Sequence, residues 1–294
     1  MRGLTLAEFE SKISGHANIP MTHPSYSITF ACYNAVKYTR LCIESLIRHG
    51  TPLDRVVIVD NGSTDETRPY LESLPLGGRV FNKKNMGCGV AWNQGALYQQ
   101  AEWSIIMNND VLVSSGWIDS LIHVAQKTGL KIVSPALIEG QLNYDFDQFA
   151  SQAARTMQHA LRDGNPHAVC LAVHESVWMD IGYFQPMPKL WGFEDTLFFH
   201  AARNAGLPMA MTGASWLHHF GSITQSELKR ERGLPETKGL SDRFNYRFLH
   251  QSWLARKLQK RRKLTSLKAW RAQELEQFGM TMHGIREDEQ FRWL

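Results

Sequence analysis

Short apolar runs alternate with stretches of helical periodicity along the first two thirds of the chain. The runs are rich in β-branched residues, which predicts buried strands near residues 27–32, 55–59, 79–81 and 104–107, and a second apolar run follows the last of these at 111–113. Between them, apolar residues recur at helical spacing, and Gly50 and Gly129 stop two of the predicted helices. This alternation predicts an α/β fold with a mainly parallel central sheet and helices on both faces.

Beyond residue 130 the pattern is less regular. We predict strands near residues 131–134 and 168–173, a helix near 148–161 in the loop between them, a helix over 194–206 and a last strand at 209–212. From about Ser226 the sequence is helical, basic and rich in Trp. The chain therefore divides into a main domain, residues 1–225, and a C-terminal helical extension, residues 226–294. A short helix near residues 4–13 leads into the domain.

Composition and cysteine spacing narrow the class of protein. Apolar residues make up 43% of the 294 residues, which is enough for a full core. The four cysteines show no CxxC spacing, which excludes a conventional zinc ribbon and predicts reduced thiols in a cytoplasmic protein. The first residues lack the pattern of a secretory signal, and no stretch approaches the length of a membrane span.

Positive charge is concentrated near the C-terminus. Residues 256–271 carry eight Lys or Arg side chains and no acidic one, although the net charge of the chain is only +4. The basic stretch is local and lacks a recognisable motif, so no nucleic-acid partner is expected. Leucines lie between the cations, so residues 253–271 can lie on an anionic membrane, which predicts a peripheral location on its inner face. A solvated helix packed across the main domain explains the same pattern equally well.

Polar clusters follow several of the predicted strands. Asp60 opens one of them, and Asn108-Asn109-Asp110 forms another. In an open α/β sheet, ligands bind beyond the carboxyl ends of the strands. Asp110, flanked by two amides, can offer oxygen to a hard divalent cation, which would in turn hold phosphate oxygens. A simple turn is the alternative explanation for each cluster taken alone.

Four motifs stand in one order along the chain. They are Asp60-Asn61-Gly62-Ser63-Thr64-Asp65, Asn85-x-Gly87 with Asn93-x-Gly95, Asn108-Asn109-Asp110, and Glu194-Asp195. As an ordered set they resemble the family 2 glycosyltransferases with the GT-A (Rossmann-like) fold, in the rhamnosyltransferase-like branch that builds O-antigen or capsule polysaccharides. The match covers about residues 27–224. It implies a nucleotide-sugar half, about 25–135, and an acceptor half, about 136–225.

The resemblance implies an activity. It is the inverting transfer of a sugar from a UDP- or dTDP-sugar to a glycan or lipid-linked glycan. The alternatives are a nucleotidyltransferase that makes nucleotide-sugars and a non-catalytic module that binds a glycan or a membrane. The nucleotidyltransferase alternative lacks support, because Tyr33 and Asn34 follow the first strand where nucleotidyltransferases carry a glycine-rich loop. A non-catalytic module would show no donor hydrolysis.

The resemblance also implies roles for individual residues. The donor is expected to contact Tyr33, Asn34, Asp60, Asn85, Gly87, Asn93, Asn108, Asn109 and Asp110. Asp110 matches the second acid of the family's DxD motif, where Mg²⁺ or Mn²⁺ bridges the diphosphate. Asn108 departs from that motif, and its neutral amide predicts weaker metal binding than an acid would give.

The remaining implied roles lie late in the chain. His219, with His218 as the alternative, matches a histidine that approaches the metal or the diphosphate. Asp195 matches the general base, and Glu194 beside it has a supporting role. The acceptor is expected to contact the two residues at the preceding turn, Trp191 and Gly192.

Overall fold

The computed structural model describes residues 25–187, 192–221, 223–231, 233 and 245–294. Trp191 and the helix predicted near residues 4–13 lie outside these ranges. Within them the chain forms one sheet of eleven strands with helices packed on its faces. No helix in these ranges is both long and apolar enough to cross a bilayer.

The first part of the sheet is parallel, as the sequence predicts. Its four strands are β1 (Tyr26–Cys32), β2 (Val56–Asp60), β3 (Gly78–Phe81) and β4 (Trp103–Asn108). They pair in the order β3-β2-β1-β4. The connecting helices are α1 (Val36–Arg48), α2 (Thr67–Glu72) and α3 (Cys88–Tyr98). Because all four strands run in one direction, the polar clusters after them meet at the same edge.

The second part of the sheet mixes strand directions. Its elements are β5 (Val111–Val113), α4 (Trp117–Thr128), β6 (Ile132–Gly140), α5 (Phe146–Met157), β7 (Leu161–Asp163), β8 (Cys170–His174), α6 (Glu175–Ile181), α7 (Glu194–Asn204) and β9 (Met209–His219). Strand β8 is antiparallel to both β4 and β6. Strand β9 is parallel to β6 and antiparallel to β5 and β7.

The C-terminal segment is more than the helical extension that the sequence predicts. It contains α8 (Ile223–Glu231), a short 3₁₀ helix (Asn245–Leu249), α9 (Trp253–Phe278), β10 (His283–Glu287) and β11 (Gln290–Trp293). Strand β10 pairs in parallel with β6, so the chain ends as a hairpin on the main sheet. These strands are too short and too polar to show a clear strand pattern. The division of the chain at residue 225 stays a prediction.

Two further boundaries differ from the predicted ones. Helix α5 ends at Met157, because the chain enters β7 at Leu161. Strand β9 continues from Met209 to His219 and does not stop at Thr212. A register shift against β6 accommodates the irregular residues after Thr212, which break the apolar pattern without ending the strand.

Apolar side chains fill both faces of the sheet, which confirms the predicted α/β class. On one face Ile105 and Met107 of β4 share a core with helices α1 and α4. On the other face Ile106 packs with residues of α3 and α7, including Trp92 and Phe198. The alternation along β4 follows from the two-residue period of a strand. The sheet is therefore buried on both sides, and its carboxyl edge remains for the site.

A buried ion pair attaches helix α9 to the sheet. Arg162 Nε and Nη2 donate to the two carboxylate oxygens of Glu274 at 2.6 and 2.7 Å. Glu274 Oε2 also accepts from the backbone amide of Met282, just before β10. The side chains of Arg162 and Glu274 are only 2% and 7% exposed, so each charge depends on the other for compensation.

Removing this carboxylate is expected to destabilise the whole protein. Glu274→Ala leaves the Arg162 guanidinium buried without its carboxylate partner, which is expected to lower the free energy of unfolding by about 3–5 kcal/mol. Equilibrium unfolding in urea measures the loss. Glu276→Ala, on the exposed side of the same helix, is the matched control and is expected to change stability by less than about 0.5 kcal/mol. Equal losses in the two variants would contradict the assignment.

Candidate functional site

A cavity of about 1260 Å³ opens at the carboxyl edge of the sheet. Its volume exceeds the roughly 300–1,000 Å³ of an ordinary small-molecule pocket, so it has room for two substrates. The structure brings most of the predicted site residues to its wall. They are Tyr33, Asn85, Gly87, Asn108, Asn109, Asp110, Gly192, Glu194, Asp195 and His219. Four other predicted residues, Asn34, Asp60, Asn93 and His218, do not line the cavity.

A buried amide network holds the loop that contains Asn85 and Gly87. Asn61 Nδ2 donates to Asn85 Oδ1 at 3.0 Å, and Asn61 Oδ1 accepts from the Met86 amide at 3.0 Å. Asn85 Oδ1 also accepts from the Gly87 amide at 2.9 Å. Asn82 Nδ2 donates to Asn61 Oδ1 as well. Asn61 therefore organises the loop, a role that its position beside Asp60 in the motif does not reveal.

Asp60 lies at the end of β2 and is only 2% exposed. Its Oδ1 accepts from the Ser63 amide at 2.9 Å, which closes the turn after the strand. Gly62 within this turn has φ +88°, and a Cβ there would lie 2.8 Å from the backbone of Lys84. The turn therefore requires glycine, and it brings the residue 82–85 loop against the strand end.

The second asparagine motif serves packing. Asn93 Nδ2 donates to the Phe184 carbonyl at 2.8 Å, and Asn93 Oδ1 accepts from the Phe184 amide at 3.0 Å. A Cβ at Gly95 would overlap the Thr29 hydroxyl, so this glycine allows α3 to lie directly on β1. In this structure Asn93 fixes the turn before the acidic pair.

Asp110 and His219 meet at the floor of the cavity. His219 Nε2 lies 3.3 Å from Asp110 Oδ1, and His219 Nδ1 lies 3.5 Å from Glu139 Oε1. Burial by itself lowers the pKa of His219, but the two carboxylates outweigh burial and raise that pKa to about 9. Contacts with His219 and then His283 hold the pKa of Glu139 well below its ordinary value. Glu139 was not predicted, because it lies on β6, far from every motif.

His218 points to the opposite side of strand β9. Its Nδ1 lies 3.0 Å from the Tyr144 hydroxyl, and its ring packs against Phe146 and Phe220. Burial lowers its pKa to about 4, so it is neutral at ordinary pH. Neighbouring residues of a strand face opposite sides, so only one of the two histidines can reach Asp110. The structure brings His219 to that position.

Asp110 and His219 fit a divalent cation in part. No group of three or more His, Cys, Asp or Glu side chains in the described ranges could hold a metal ion. However, adjacent ligands of an octahedral ion with bonds of about 2.1 Å lie about 3 Å apart. The 3.3 Å between Asp110 Oδ1 and His219 Nε2 is close to that spacing. Both His219 ring nitrogens are buried without an aligned hydrogen bond within the described residues.

Glu194 and Asp195 begin helix α7, and their carboxylates differ in exposure. Glu194 is buried, and a Cβ at Gly89 would lie 2.8 Å from its Cγ. Burial raises the pKa of Glu194, and the charge of Asp195 adds to the rise while the Gly89 amide opposes it. Asp195 is partly exposed on the cavity wall, and its Oδ1 accepts from the Thr196 amide at 2.7 Å. Asp195 is therefore the more open to a substrate.

Helix α8 spans the predicted nucleotide end of the cavity. At its start the Ile223 amide donates to Asp110 Oδ2 at 3.1 Å. At its end Glu231 accepts from the Tyr33 hydroxyl at 2.6 Å and from Asn34 Nδ2 at 2.9 Å. Glu231 thus occupies the polar groups of two predicted donor-binding residues. No sequence pattern marked Glu231, because its partners lie about two hundred positions earlier in the chain.

Helix α9 contributes one wall of the same cavity. The residues involved are Trp253, Arg256, Lys257, Gln259, Lys260 and Lys263. The sequence left open whether this segment meets a membrane or packs across the domain. In the structure its first turns border the cavity, and only its later turns are anchored to the sheet, through Glu274.

Comparison with known proteins identifies the family. A model of "Glycosyl transferase family 2" matches residues 27–187, more than half of the chain. The chain belongs to this family. An uncharacterized glycosyltransferase of Rickettsia typhi is 30% identical over 112 residues, which cover 37% of this chain and 35% of that protein. The putative glycosyltransferase EpsH of Bacillus subtilis is 25% identical over 108 residues, covering 36% and 31%. The chain thus matches about a third of each of these relatives.

Several solved structures share the fold. GalNAc-T7 in complex with UDP, GalNAc and Mn²⁺ has a TM-score of 0.55 at 16% identity, covering 68% of this chain and 44% of that one. The mannosyltransferase PcManGT from Pyrobaculum calidifontis, with GDP-Man and Mn²⁺, has a TM-score of 0.52 at 18% identity, covering 73% and 62%. TarS of S. aureus with UDP-GlcNAc has a TM-score of 0.52 at 17% identity, covering 74% and 61%. The predicted family and GT-A fold are confirmed, and the rhamnosyltransferase-like branch stays a prediction.

Proposed function

We propose that the protein transfers a sugar, with inversion, from a nucleotide-diphosphate donor to a hydroxyl of a glycan or lipid-linked glycan. The observation that carries this proposal is a single cavity with Asp110 and His219 at one part of its wall and Asp195 at another. Such a cavity can hold a diphosphate and an acceptor hydroxyl at the same time. The named complexes of the fold neighbours with UDP-GlcNAc and GDP-Man support a nucleotide-sugar donor.

The proposed chemistry is a direct displacement at the anomeric carbon. Asp195 accepts the proton of the acceptor hydroxyl while that oxygen attacks the carbon. The bond from this carbon to the donor's diphosphate oxygen breaks, and its electron pair leaves with the nucleotide diphosphate. Glu194 supports this step by holding the start of α7 against Gly89. Its buried carboxyl has little access to an acceptor, so it is a positioning residue.

A divalent cation, Mg²⁺ or Mn²⁺, is part of the proposal. Asp110 and His219 would hold it once His219 has lost its proton, with the Asn108 amide nearby on the cavity wall. The cation would supply positive charge to the leaving diphosphate. Mn²⁺ in the named complexes of GalNAc-T7 and PcManGT supports this expectation. Since Asn108 replaces an acid, we expect weaker metal binding than an acidic pair would give.

The remaining predicted contacts belong to the same proposal. Tyr33, Asn34 and Asp60 would bind the nucleoside at the ends of β1 and β2. Gly192 would meet the acceptor beside Asp195, and an acceptor contact of Trp191 stays a prediction from the sequence. Contact of residues 253–271 with an anionic membrane stays a prediction.

Donor turnover provides a direct test. We expect one UDP- or dTDP-sugar from a panel to raise the melting temperature and to be hydrolysed slowly in the presence of Mn²⁺. Both signals should disappear when the metal is chelated. Binding without hydrolysis for every donor, at any metal concentration, would favour a non-catalytic module. Release of diphosphate from a nucleoside triphosphate and a sugar phosphate would favour a nucleotidyltransferase.

Glu231 is expected to compete with the nucleotide. Tyr33 and Asn34 must release this carboxylate before they can bind a donor. Glu231→Gln weakens the competing hydrogen bonds by about 1 kcal/mol, so UDP should bind about fivefold more tightly. Isothermal titration calorimetry with UDP measures the change. Glu227→Gln is the control, since Glu227 on the same helix pairs with Arg230 instead. Weaker UDP binding by the Glu231 variant would show that Glu231 assists the nucleotide.

A further inference from the structure

One face of helix α9 turns a row of cations toward the cavity. Arg256, Lys260 and Lys263 are spaced four and three residues apart, so they lie along one side of the helix. All three line the cavity, together with Lys257. Arg261 and Arg262 lie between them in sequence but do not border the cavity. The basic segment therefore has two faces with different surroundings.

Within the described residues, no carboxylate forms an ion pair with Lys260 or Lys263. Like charges four residues apart destabilise a helix by a few tenths of a kcal/mol. Repulsion between these cations therefore destabilises helix α9, and a bound anion would remove that destabilisation. We call the side chains of Arg256, Lys257, Lys260 and Lys263 the basic wall.

The start of α9 is attached beside the acidic pair. Leu249, in the turn that precedes α9, packs in one cluster with Phe193 and Leu197 at the start of α7. Gln251 Nε2 lies 3.4 Å from His200 Nδ1 on the same helix. Asp110, by contrast, is bonded to the start of α8. The basic wall therefore begins on the Asp195 side of the cavity, where the proposed function puts the acceptor.

We propose that the basic wall binds a phosphate group of the acceptor, close to the hydroxyl that receives the sugar. This inference rests on the proposed function and specifies its acceptor. Phosphate matches several convergent cations because it offers more than one charge and several acceptor oxygens. The phosphate belongs either to a lipid-linked carrier or to the glycan itself, and the recognition chemistry is the same for both.

A flat membrane surface does not explain the basic wall. Cations that border the cavity lie on the side of α9 that faces away from a bilayer bound to its opposite side. The side of α9 opposite the wall carries Arg261, Arg262 and the exposed Leu254 and Leu258. That side is the one a membrane would contact. The two faces therefore predict different ligands, and substitutions on each face can separate them.

Phosphate titration of the UDP-saturated protein tests the proposal. Saturating UDP with Mg²⁺ occupies the donor site, so inorganic phosphate reports on a second anion site by calorimetry. The double variant Lys260→Ala/Lys263→Ala is expected to bind phosphate about tenfold more weakly than the wild type. The variant Arg261→Ala/Arg262→Ala removes the same charge from the same turn of the helix and is expected to stay within about twofold.

Three kinds of result would overturn the inference. The first is phosphate binding that does not depend on the wall: either the wild type binds no phosphate, or the two double variants lose phosphate affinity equally. The second is a loss of UDP affinity in Lys260→Ala/Lys263→Ala as large as the loss for phosphate, because the wall would then serve the donor. The third is a loss of binding to phosphatidylglycerol vesicles in both variants without phosphate binding in solution, which would indicate a membrane-surface helix. None of these measurements requires turnover. If donor hydrolysis alone fails, the proposed function is contradicted, and the basic wall is still tested by phosphate binding.

Vesicles distinguish the two sources of phosphate. Phosphatidylcholine vesicles that contain polyprenyl phosphate are compared with vesicles of phosphatidylcholine alone. Binding that requires polyprenyl phosphate and is lost in Lys260→Ala/Lys263→Ala supports a lipid-linked phosphate. Phosphate binding in solution without any preference for these vesicles supports a phosphate within the glycan. Either result, with the outer-face variant unaffected, supports the basic wall as the acceptor's anion site.

Discussion

Asp195→Asn is expected to lower the rate of sugar transfer by about 10²–10⁴-fold, the usual contribution of a positioned general base. Asparagine keeps the size of the side chain and an oxygen that can accept from the Thr196 amide, so the start of α7 should remain in place. It cannot take the proton of the acceptor hydroxyl. The loss should therefore appear in kcat, while donor affinity stays within a few-fold of the wild type.

Single-turnover transfer and UDP titration together check this expectation. Glu194→Gln is the informative comparison, because Glu194 is buried against Gly89 and should act through the position of α7. It is expected to lower stability and to affect rate less than Asp195→Asn. Near-normal transfer by Asp195→Asn would move the base to another group, first to Glu194. Loss of UDP binding along with activity would mean that Asp195 serves the nucleotide or the fold.

Asp110→Ala is expected to weaken metal-dependent donor binding by about 10²-fold or more, since a cation at a diphosphate contributes several kcal/mol. Asp110 is the only acid in Asn108-Asn109-Asp110, and it contacts both His219 and the start of α8. Without it, Glu139 is the acidic neighbour that His219 retains among the described residues. The metal would lose its one charged ligand in the motif, and α8 would lose an anchor.

UDP titration with and without Mn²⁺ measures the effect. The affinity for UDP without metal should change much less than the affinity with metal. Asn108→Asp is the reciprocal variant, because it supplies the missing acid and should tighten metal-dependent binding. Asp110→Asn keeps the shape of the side chain and guards against a folding defect in the alanine variant. Donor binding by Asp110→Ala that equals the wild type, with and without Mn²⁺, would refute the assignment.

Local patterns were sufficient to predict the family, the α/β class and the edge of the sheet that carries the cavity. Short apolar runs with β-branched residues indicate buried strands, and β1, β2 and β4 form where such runs occur. Polar turn motifs after such strands converge because parallel strands end at one edge. Asn85 and Asp110 could therefore be associated before their contacts were known, whereas Asp195 was associated with them through the family resemblance.

Other features were decided by partners distant in sequence. Strand β9 continues beyond Thr212 because β6 and β5 offer it hydrogen bonds, and this extension selects His219 over His218. Glu139 reaches His219 only because β6 and β9 are neighbours. A one-residue difference along a strand reverses the direction of a side chain, so no local pattern specifies which histidine faces the site.

The C-terminal segment shows the same limit most clearly. Its charge and helical spacing were evident in the sequence, but its surroundings were not. The pair between Arg162 and Glu274, together with the pairing of β10 on β6, holds the helix at the cavity. These contacts join residues more than a hundred positions apart, and their free energy exists only when the chain has folded. Residue type and spacing specify which chemistry is present, whereas long-range pairing specifies what that chemistry faces.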